Sequence, residues 1–339
     1  MKISVFAYSR QGIRIAERLL PLTEEDKKQF FAPERIAGGH FSPIPMPSKK
    51  FYGEHFAEAD ALIFVGACGI AVRSIAPHIR SKQSDPAVLC IDERGQYVIP
   101  ILSGHIGGAN ELAEKLASGL GAQAIITTAT DINGKFSVDS WAIRNGFAIG
   151  DMAIAKEVSA AILEQDVALF SMLPVTGSLP GGLVLRDDGP IGIFIGWEKQ
   201  DPFGKTLHLI PRNLHLGIGC RKGTAARVIK TAVDSVLEQH QIDPAAIKCT
   251  ASIDLKANEP GLLEYCSSTG IPLFCYSAEE LLSVPGNFTG SDFVKKITGV
   301  ENVCERAAMM CADKLIIPKT VCEGVTIAVA AEMKEVCIE

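Results

Sequence analysis

Residues 101–131 read ILSGHIGGANELAEKLASGLGAQAIITTATD, and this stretch predicts the fold of the first part of the chain. An apolar run ends in a glycine-rich turn, a helix-favouring segment follows, and a second apolar run leads into polar residues 127–131. The order of strand, turn, helix and strand is typical of α/β proteins, in which ligands bind where strands end. We therefore expect Ser103, His105 and Asp131 to lie at the ends of two neighbouring strands.

The glycines of this turn favour a bound anion. Glycines 104, 107 and 108 let a ligand approach the backbone, and the free amides at a helix start attract negative charge. The turn matches neither GxGxxG nor GxxxxGK[ST], and glycine-rich turns also occur in α/β proteins without a ligand. A histidine in such a turn is either a functional residue or a hydrogen-bonded structural one, and the spacing alone leaves both readings open.

Three further turns lead from an apolar run into a predicted helix and have an arginine in or beside them. Residues 66–73, GACGIAVR, leave an apolar run through Gly66 and Gly69 into a helix that carries Arg73, and we expect this turn at the same edge of the sheet as residues 103–110. Arg10 follows the first apolar run and Arg221 follows another in the same way. A guanidinium beside backbone amides is suited to holding a carboxylate, although any short turn of this kind is polar.

Composition excludes several classes of protein. A net charge of −6 makes nucleic acid an unexpected partner, because proteins that bind the phosphate backbone carry a basic face. The N-terminus lacks a signal-peptide pattern, and no apolar run reaches the length of a membrane span. The 10 cysteines form neither CxxC pairs nor clusters with zinc spacing. We expect a cytoplasmic protein with reduced thiols, no structural metal and no membrane contact.

A length of 339 residues suggests two or three domains, and the sequence pattern divides the chain into three. The fold class is α/β, with a flavodoxin-like or Rossmann-like first domain at residues 1–147. From residue 148 to 212, after a helix at 152–165, short apolar runs alternate with Pro and Gly and leave no room for a helix, which predicts a small β-rich middle domain. The α/β pattern returns at residues 213–339. We interpret residues 41–47, FSPIPMP, as a loop or extended arm because of their prolines.

Eight motifs follow one another along the chain: GACGIAVR, LSGHIGGANELA and TTATDING in the first domain, and LGIGCRKGT, SIDLK, EPGLLE, YSAEEL and GVENVCERAA in the last. In this order they resemble the cobalt-precorrin-5A hydrolase family of anaerobic cobalamin (vitamin B12) biosynthesis. The resemblance covers nearly the whole chain. The last domain also resembles a stand-alone protein of the aerobic cobalamin pathway.

The resemblance implies a hydrolase of corrin metabolism. Water opens the ring A δ-lactone of cobalt-precorrin-5A, and a two-carbon fragment leaves as acetaldehyde to give cobalt-precorrin-5B. No cofactor is expected, because the cobalt belongs to the substrate. The substrate is the expected partner, with neighbouring pathway enzymes and a second copy of the chain as further candidates.

Within that family we assign the chemistry to the first domain. His105 is the expected general base or acid, Asp131 orients it or holds water, and Ser103 donates a hydrogen bond. The amides of residues 107–109 are candidates for holding the oxyanion. The expected substrate contacts are Gly104, Gly107, Gly108, Ala109, Asn110, Gly66, Gly69, Arg73, Arg10, Thr128, Arg221, Thr224 and Glu305.

Other functions remain as alternatives. A tetrapyrrole-binding or carrier protein without chemistry could use the same turns, and it would release no acetaldehyde. A nucleotide-dependent enzyme is disfavoured by the lack of a dinucleotide or P-loop motif. His105 as an axial ligand of the substrate's cobalt is a further alternative.

Overall fold

The computed structural model describes residues 1–23, 26–81 and 84–338, without the side chains of residues 23, 130, 131 and 293. The chain divides into two compact units, Met1–Ser140 and Trp141–Glu339. The predicted middle and last domains both fall in the second unit, and the three domain boundaries stay a prediction. Among the described residues, no helix has the length and apolar composition that crossing a membrane requires.

The first unit is a doubly wound α/β fold. Its strands are β1 (Lys2–Ala7), β2 (Lys27–Pro33), β3 (Phe41–Ile44), β4 (Ala61–Val65), β5 (Ala87–Ile91), β6 (Tyr97–Leu102) and β7 (Gln123–Ala124). Its helices are α1 (Arg10–Glu17), α2 (Lys49–Glu58), α3 (Cys68–Ile75), α4 (Ala109–Leu120) and α5 (Ala129–Ile132), and α6 (Val138–Arg144) begins within it. The strand order is β3-β2-β1-β4-β5-β6-β7. The predicted α/β fold class is confirmed.

The core of the first unit lies on both faces of this sheet. Ile15 of α1 and Leu116 of α4 pack on one face, whereas Tyr52 of α2 and Ile75 of α3 pack on the other. Strands covered on both faces are apolar throughout, and the burial of every residue of β4 and β5 follows this rule. The apolar runs that the sequence shows at these strands are therefore central strands.

The interpretation of residues 41–47 as a loop or arm was wrong in part. Phe41–Ile44 forms β3, which pairs with β2 at the edge of the sheet. Proline is tolerated in an edge strand because the missing N–H would otherwise point away from the partner strand. Strand β2 and helix α2 were not predicted.

The described residues of the second unit form two five-stranded sheets and one two-stranded sheet. The first has the strands β8 (Phe147–Ile149), β9 (Val167–Ser171), β11 (Leu183–Leu185), β12 (Gly192–Ile195) and β13 (Thr206–Pro211), with α7 (Met152–Glu164) before β9. Its order is β11-β9-β12-β13-β8, and only β8 is antiparallel to its neighbour. The described residues 170–210 contain strands and no helix, as the density of Pro and Gly predicts.

The last sheet has the order β16-β15-β14-β18-β17. Its strands are β14 (Leu214–Gly219), β15 (Ile247–Ile253), β16 (Leu273–Tyr276), β17 (Lys314–Cys322) and β18 (Val325–Ala331). Its helices are α8 (Ala226–Gln239), α9 (Pro260–Thr269), α10 (Ala278–Ser283), α11 (Asp292–Thr298) and α12 (Cys304–Met309). Strands β10 (Val175–Thr176) and β19 (Val336–Cys337) pair in a two-stranded sheet. Short 3-10 helices form at Pro244–Ala246 and Asp254–Lys256 in this unit and at Pro21–Thr23 in the first unit.

Candidate functional site

The loop between β6 and α4 folds tightly on itself. Ser103 lies in the left-handed region with a φ of 58°, a conformation that costs a residue other than glycine free energy and is often found at functional sites. The Ser103 hydroxyl donates to the Asp85 carbonyl at 2.9 Å, and the Ser103 carbonyl accepts from the Ala109 amide at 3.1 Å. A Cβ at Gly107 would lie 2.4 Å from the Cβ of Ser103. Only glycine fits at position 107 without displacing this loop.

His105 projects from this loop beside a carboxylate that the sequence analysis did not identify. Its Nδ1 lies 3.6 Å from Oδ1 of Asp139, and the His105 side chain is 20% exposed. Asp139 lies in the first turn of α6 and is nearly buried. Its Oδ1 also accepts from the Ser140 amide at 3.0 Å and from the Ser137 hydroxyl at 3.1 Å. The loop thus places a partly exposed imidazole beside an anchored carboxylate.

The turn after β7 lies against the start of α4. The Asn110 side-chain amide donates to the Thr128 hydroxyl at 2.8 Å, and β7 pairs parallel to β6. The prediction that these two strands are neighbours is therefore confirmed. The Asp131 backbone lies in α5, but its side chain is outside the described residues, so its predicted proximity to His105 stays a prediction.

Two of the three amides expected to hold an oxyanion are already engaged. The Gly108 amide donates to the His105 carbonyl at 2.9 Å, and the Ala109 amide donates to Ser103 as described above. The Gly104 carbonyl likewise accepts from the Asn110 amide at 3.0 Å. Within the described part of the chain, the Gly107 amide has no acceptor. The expected role of the Gly108 and Ala109 amides was wrong because the loop uses both to close its own turn.

The expectation that residues 66–73 share an edge of the sheet with His105 was also wrong. Strand β6 is antiparallel to β5, and Leu102 pairs with Val88 at the beginning of β5. Gly66 follows the opposite end of the neighbouring strand β4, where its amide donates to the Ile91 carbonyl. Five residues of strand separate the two positions, which is about 17 Å. We call the edge of the sheet opposite His105 the far edge; it contains Arg10, Gly66, Gly69 and Arg73.

A tight turn causes this reversal. The Asp92 carboxylate accepts from the Arg94 amide at 3.0 Å and from the amides of Gln96 and Tyr97 at 2.7 Å each. These bonds close an Asx-type turn, so the chain returns directly along β5 instead of crossing over through a helix. The sequence contained a signal for this tight turn, because Asp92 and Gly95 lie between two apolar runs.

The far edge contains the topological switch point of the sheet. The chain leaves β1 toward β2 on one side and continues through β4 and β5 on the other, which opens a crevice between the β1–α1 and β4–α3 turns. Tyr8 packs against Gly66 in this crevice, and the Arg73 guanidinium lies 3.6 Å from the position of a Cβ on Gly69. The Cys90 thiol donates to the Gly66 carbonyl at 3.1 Å, and burial raises its pKa to about 12. Arg10 is exposed at the start of α1.

In the second unit, the turn at Gly223 already holds a carboxylate. The Gly223 amide donates to Oε1 of Glu259 at 2.6 Å, and Nζ of Lys256 lies 2.8 Å from Oε2. The hydrogen bond from Lys256, together with that from Gly223, lowers the pKa of Glu259 although burial opposes its ionisation. Thr224 donates its hydroxyl to the Arg221 carbonyl at 2.8 Å. The anion predicted at this amide is the chain's own Glu259, while the Arg221 side chain is exposed.

Glu305 was wrongly expected to contact the substrate. It is 1% exposed, and its oxygens accept from the Thr289 amide at 2.9 Å, the Lys319 amide at 2.6 Å and the Asn302 side chain. These bonds join the segment before α11 and strand β17 to the start of α12. Glu305 is therefore a structural residue. Among the described residues, no group of three or more His, Cys, Asp and Glu is placed to hold a metal ion.

Comparison with known proteins assigns the family. Residues 50–131 match the family model described as Cobalamin synthesis G N-terminal, and residues 214–330 match Cobalamin synthesis G C-terminus. The cobalt-precorrin-5A hydrolase of Salmonella typhimurium is 36% identical over 96% of both chains, and that of Priestia megaterium is 30% identical over 96% of this chain and 94% of its own. Protein CobE of Sinorhizobium sp is 30% identical over 34% of this chain and 79% of its own. This chain belongs to the cobalt-precorrin-5A hydrolase family.

Proposed function

We propose that this chain is the cobalt-precorrin-5A hydrolase of its pathway, opening the ring A δ-lactone and releasing acetaldehyde to form cobalt-precorrin-5B. The similarity to the Salmonella typhimurium enzyme over 96% of both chains supports the substrate. The observation that carries the chemistry is the His105 imidazole, whose Nδ1 lies 3.6 Å from the anchored carboxylate of Asp139 and whose loop also contains the Gly107 amide.

The reaction requires four proton transfers. A base removes a proton from water as it adds to the lactone carbonyl, and the ring oxygen leaves as a hydroxyl when the tetrahedral intermediate collapses. Removal of the hydroxyl proton then breaks the carbon–carbon bond. Acetaldehyde departs, and the electron pair returns to the macrocycle, where a proton is taken up. One imidazole can perform these transfers in turn, because it accepts and donates protons near neutral pH.

The loop supplies the groups for the first step. We assign His105 as the general base that activates water and then as the acid that protonates the leaving oxygen. The Gly107 amide is the donor for the oxyanion, since Gly108 and Ala109 are engaged. Ser103 donates to Asp85 and so shapes the loop. Asp131 stays a candidate for holding the attacking water.

Substrate carboxylates require contacts away from the reacting carbonyl. We propose Gly104, Asn110 and Thr128 as the contacts nearest the reacting carbonyl, and the Asn110–Thr128 hydrogen bond orients two polar side chains. The switch-point crevice, with Arg10 and the Gly66–Gly69 turn leading to Arg73, is the second proposed contact region. Arg221 and Thr224 are the proposed contacts of the second unit, and Arg221→Ala should mainly raise KM because a carboxylate clamp acts alike in ground and transition states.

The proposal includes the setting of the reaction. The cobalt arrives with the substrate, so we propose no cofactor bound by the protein. All ten cysteines are among the described residues and are free thiols, which fits a reducing cytoplasm. A second copy of the chain and neighbouring pathway enzymes are the further partners to test.

Turnover of cobalt-precorrin-5A tests the proposal. Purified protein is incubated with the substrate, and acetaldehyde and the product mass are followed together. We expect acetaldehyde in equal amount to cobalt-precorrin-5B, and His105→Gln should lower kcat by about 10²–10⁴-fold. The matched control is His40→Gln, because His40 is an exposed histidine in the turn before β3. A protein that binds the corrinoid and releases no acetaldehyde is a carrier, and that outcome overturns the proposed activity.

A further inference from the structure

The carboxylate of Asp139 is held in place beside the His105 ring. The side chain of Asp139 is 12% exposed and that of His105 is 20% exposed. Two donors, the Ser140 amide and the Ser137 hydroxyl, converge on the same Oδ1 that faces the imidazole. Because the backbone and a neighbouring side chain fix this oxygen, the carboxylate cannot turn away without losing both bonds. The arrangement fixes a negative charge at one ring nitrogen of His105.

We propose that Asp139 is the positioning residue of His105, and this inference rests on the proposed function. Its carboxylate holds the hydrogen on Nδ1, so that the lone pair lies on Nε2. A carboxylate on one ring nitrogen fixes the tautomer and orientation of an imidazole and stabilises its protonated form. The proton that His105 takes from water is therefore bound on Nε2 while Asp139 stays ionised.

Nδ1 of His105 and Oδ1 of Asp139 are 3.6 Å apart. This separation is longer than a good hydrogen bond, whose nitrogen and oxygen atoms are about 2.7–3.2 Å apart. Catalytic hydrogen bonds are often long without substrate and shorten in the complex. Movement of the His105 ring by a few tenths of an ångström would bring Nδ1 within hydrogen-bond distance of Oδ1, which is itself held in place.

A purely structural role for Asp139 leads to different expectations. If the carboxylate only stabilised the start of α6 through Ser140, Asp139→Asn would keep an acceptor oxygen there and leave the imidazole unaffected. If it positions His105, the loss of charge frees the ring to adopt the other tautomer. Ser137→Ala is the matched control, because it removes one hydrogen bond to the carboxylate but keeps the charge.

The test reads the imidazole directly by ¹⁵N NMR of histidine-labelled protein at about pH 8, where imidazole is neutral. The chain has 7 histidines, and the His105 signals are those that disappear in His105→Gln. We expect His105 to be protonated on Nδ1 in the wild type and in Ser137→Ala, and to become a mixture of tautomers in Asp139→Asn. The same Nδ1-H form in Asp139→Asn would overturn the proposal.

Steady-state kinetics with cobalt-precorrin-5A complete the test. Asp139→Asn should lower kcat by about 10²-fold or more while KM changes by less than about 3-fold, because the carboxylate acts only through the imidazole. Asp139→Glu, which restores the charge on a longer side chain, should recover part of kcat, and it replaces Asp139→Asn if that variant does not fold. Unchanged kcat in Asp139→Asn would overturn the positioning role. Unchanged kcat in His105→Gln would instead refute the acid–base assignment, whatever the NMR shows.

Discussion

Replacing Gly107 by alanine tests whether the shape of the β6–α4 loop sets the rate of the reaction. The new Cβ would lie 2.4 Å from the Cβ of Ser103, 3.0 Å from its carbonyl oxygen and 3.3 Å from the Ala87 amide nitrogen. Ordinary contacts of a Cβ begin near 3.4 Å, so the loop must open by about 1 Å. None of the three atoms belongs to a flexible side chain, and rotation therefore cannot relieve the overlap.

This displacement predicts both a kinetic and a thermodynamic effect. A shift of 1 Å in a catalytic group costs about 10²-fold in rate, and crowding of a packed site costs about 1–3 kcal/mol of unfolding free energy. Gly107→Ala keeps the amide N–H, so a fall in kcat reports the position of His105 and not the loss of a donor. The assay is acetaldehyde release at saturating cobalt-precorrin-5A, with urea unfolding of the same preparations.

Gly108→Ala is the matched control. Its φ of 77° makes an alanine strained, but a Cβ there meets nothing within 4 Å. The strain should cost about 1–2 kcal/mol of stability, similar to the cost at Gly107, without moving the loop. We expect kcat of Gly108→Ala to stay within about 5-fold of the wild type, because a loss of rate from misplaced catalytic groups arises only when the loop is displaced. Equal activity of Gly107→Ala and wild type, or a larger loss in Gly108→Ala, would refute this reasoning.

Three more predictions concern charged side chains. Arg73→Ala should raise KM because Arg73 is a proposed contact of a substrate carboxylate, and it should leave kcat unchanged because Arg73 lies at the edge of the sheet opposite His105. A large fall in kcat in steady-state kinetics would contradict this placement. Glu305→Gln should lower the unfolding free energy by about 1–3 kcal/mol without raising KM, because the buried carboxylate serves backbone amides; a raised KM at unchanged stability would restore it as a substrate contact. Burial opposes the ionisation of Glu332, but hydrogen bonds from Lys248, Lys334 and His215 outweigh it and lower its pKa to about 2. The stability gained from Glu332 is thus complete above its ordinary pKa of 4.5 and is lost as the pH falls toward 2. Glu332→Gln should therefore lower the free energy of unfolding by about 1–3 kcal/mol at pH 7 and by progressively less in acid. A difference in unfolding free energy that does not change with pH would count against the ion pairs.

The sequence was sufficient to predict features that depend on neighbouring residues. Apolar runs covered on both sides and helix-favouring segments indicated β1, β4, β5, α4 and α8 within a few residues of their observed bounds. The glycine-rich turn was correctly placed between β6 and α4. Strand β3 was missed because its prolines are compatible with a strand only at the edge of a sheet, and edge position is not a local property.

The candidate site was predicted only in part, for the same reason. His105 could be singled out from its own turn, but its nearest described carboxylate, Asp139, lies on a helix that the sequence analysis did not predict. Likewise, Gly223 was recognised as an anion-binding turn, whereas its occupant, Glu259, comes from a distant part of the chain. Contacts of this kind are fixed by packing.

The sequence by itself determined the alternation of strands and helices, the conformations that glycines permit in the turns, and the family through its motifs. Only the tertiary structure decided that β6 runs antiparallel to β5, which places His105 and Arg73 at opposite edges of the same sheet. It also decided which carboxylates face His105 and Gly223. Helix and turn preferences arise from residues a few positions apart, so a sequence carries them directly. Strand direction and side-chain partners depend on the simultaneous packing of segments far apart in the chain, and no local pattern specifies them.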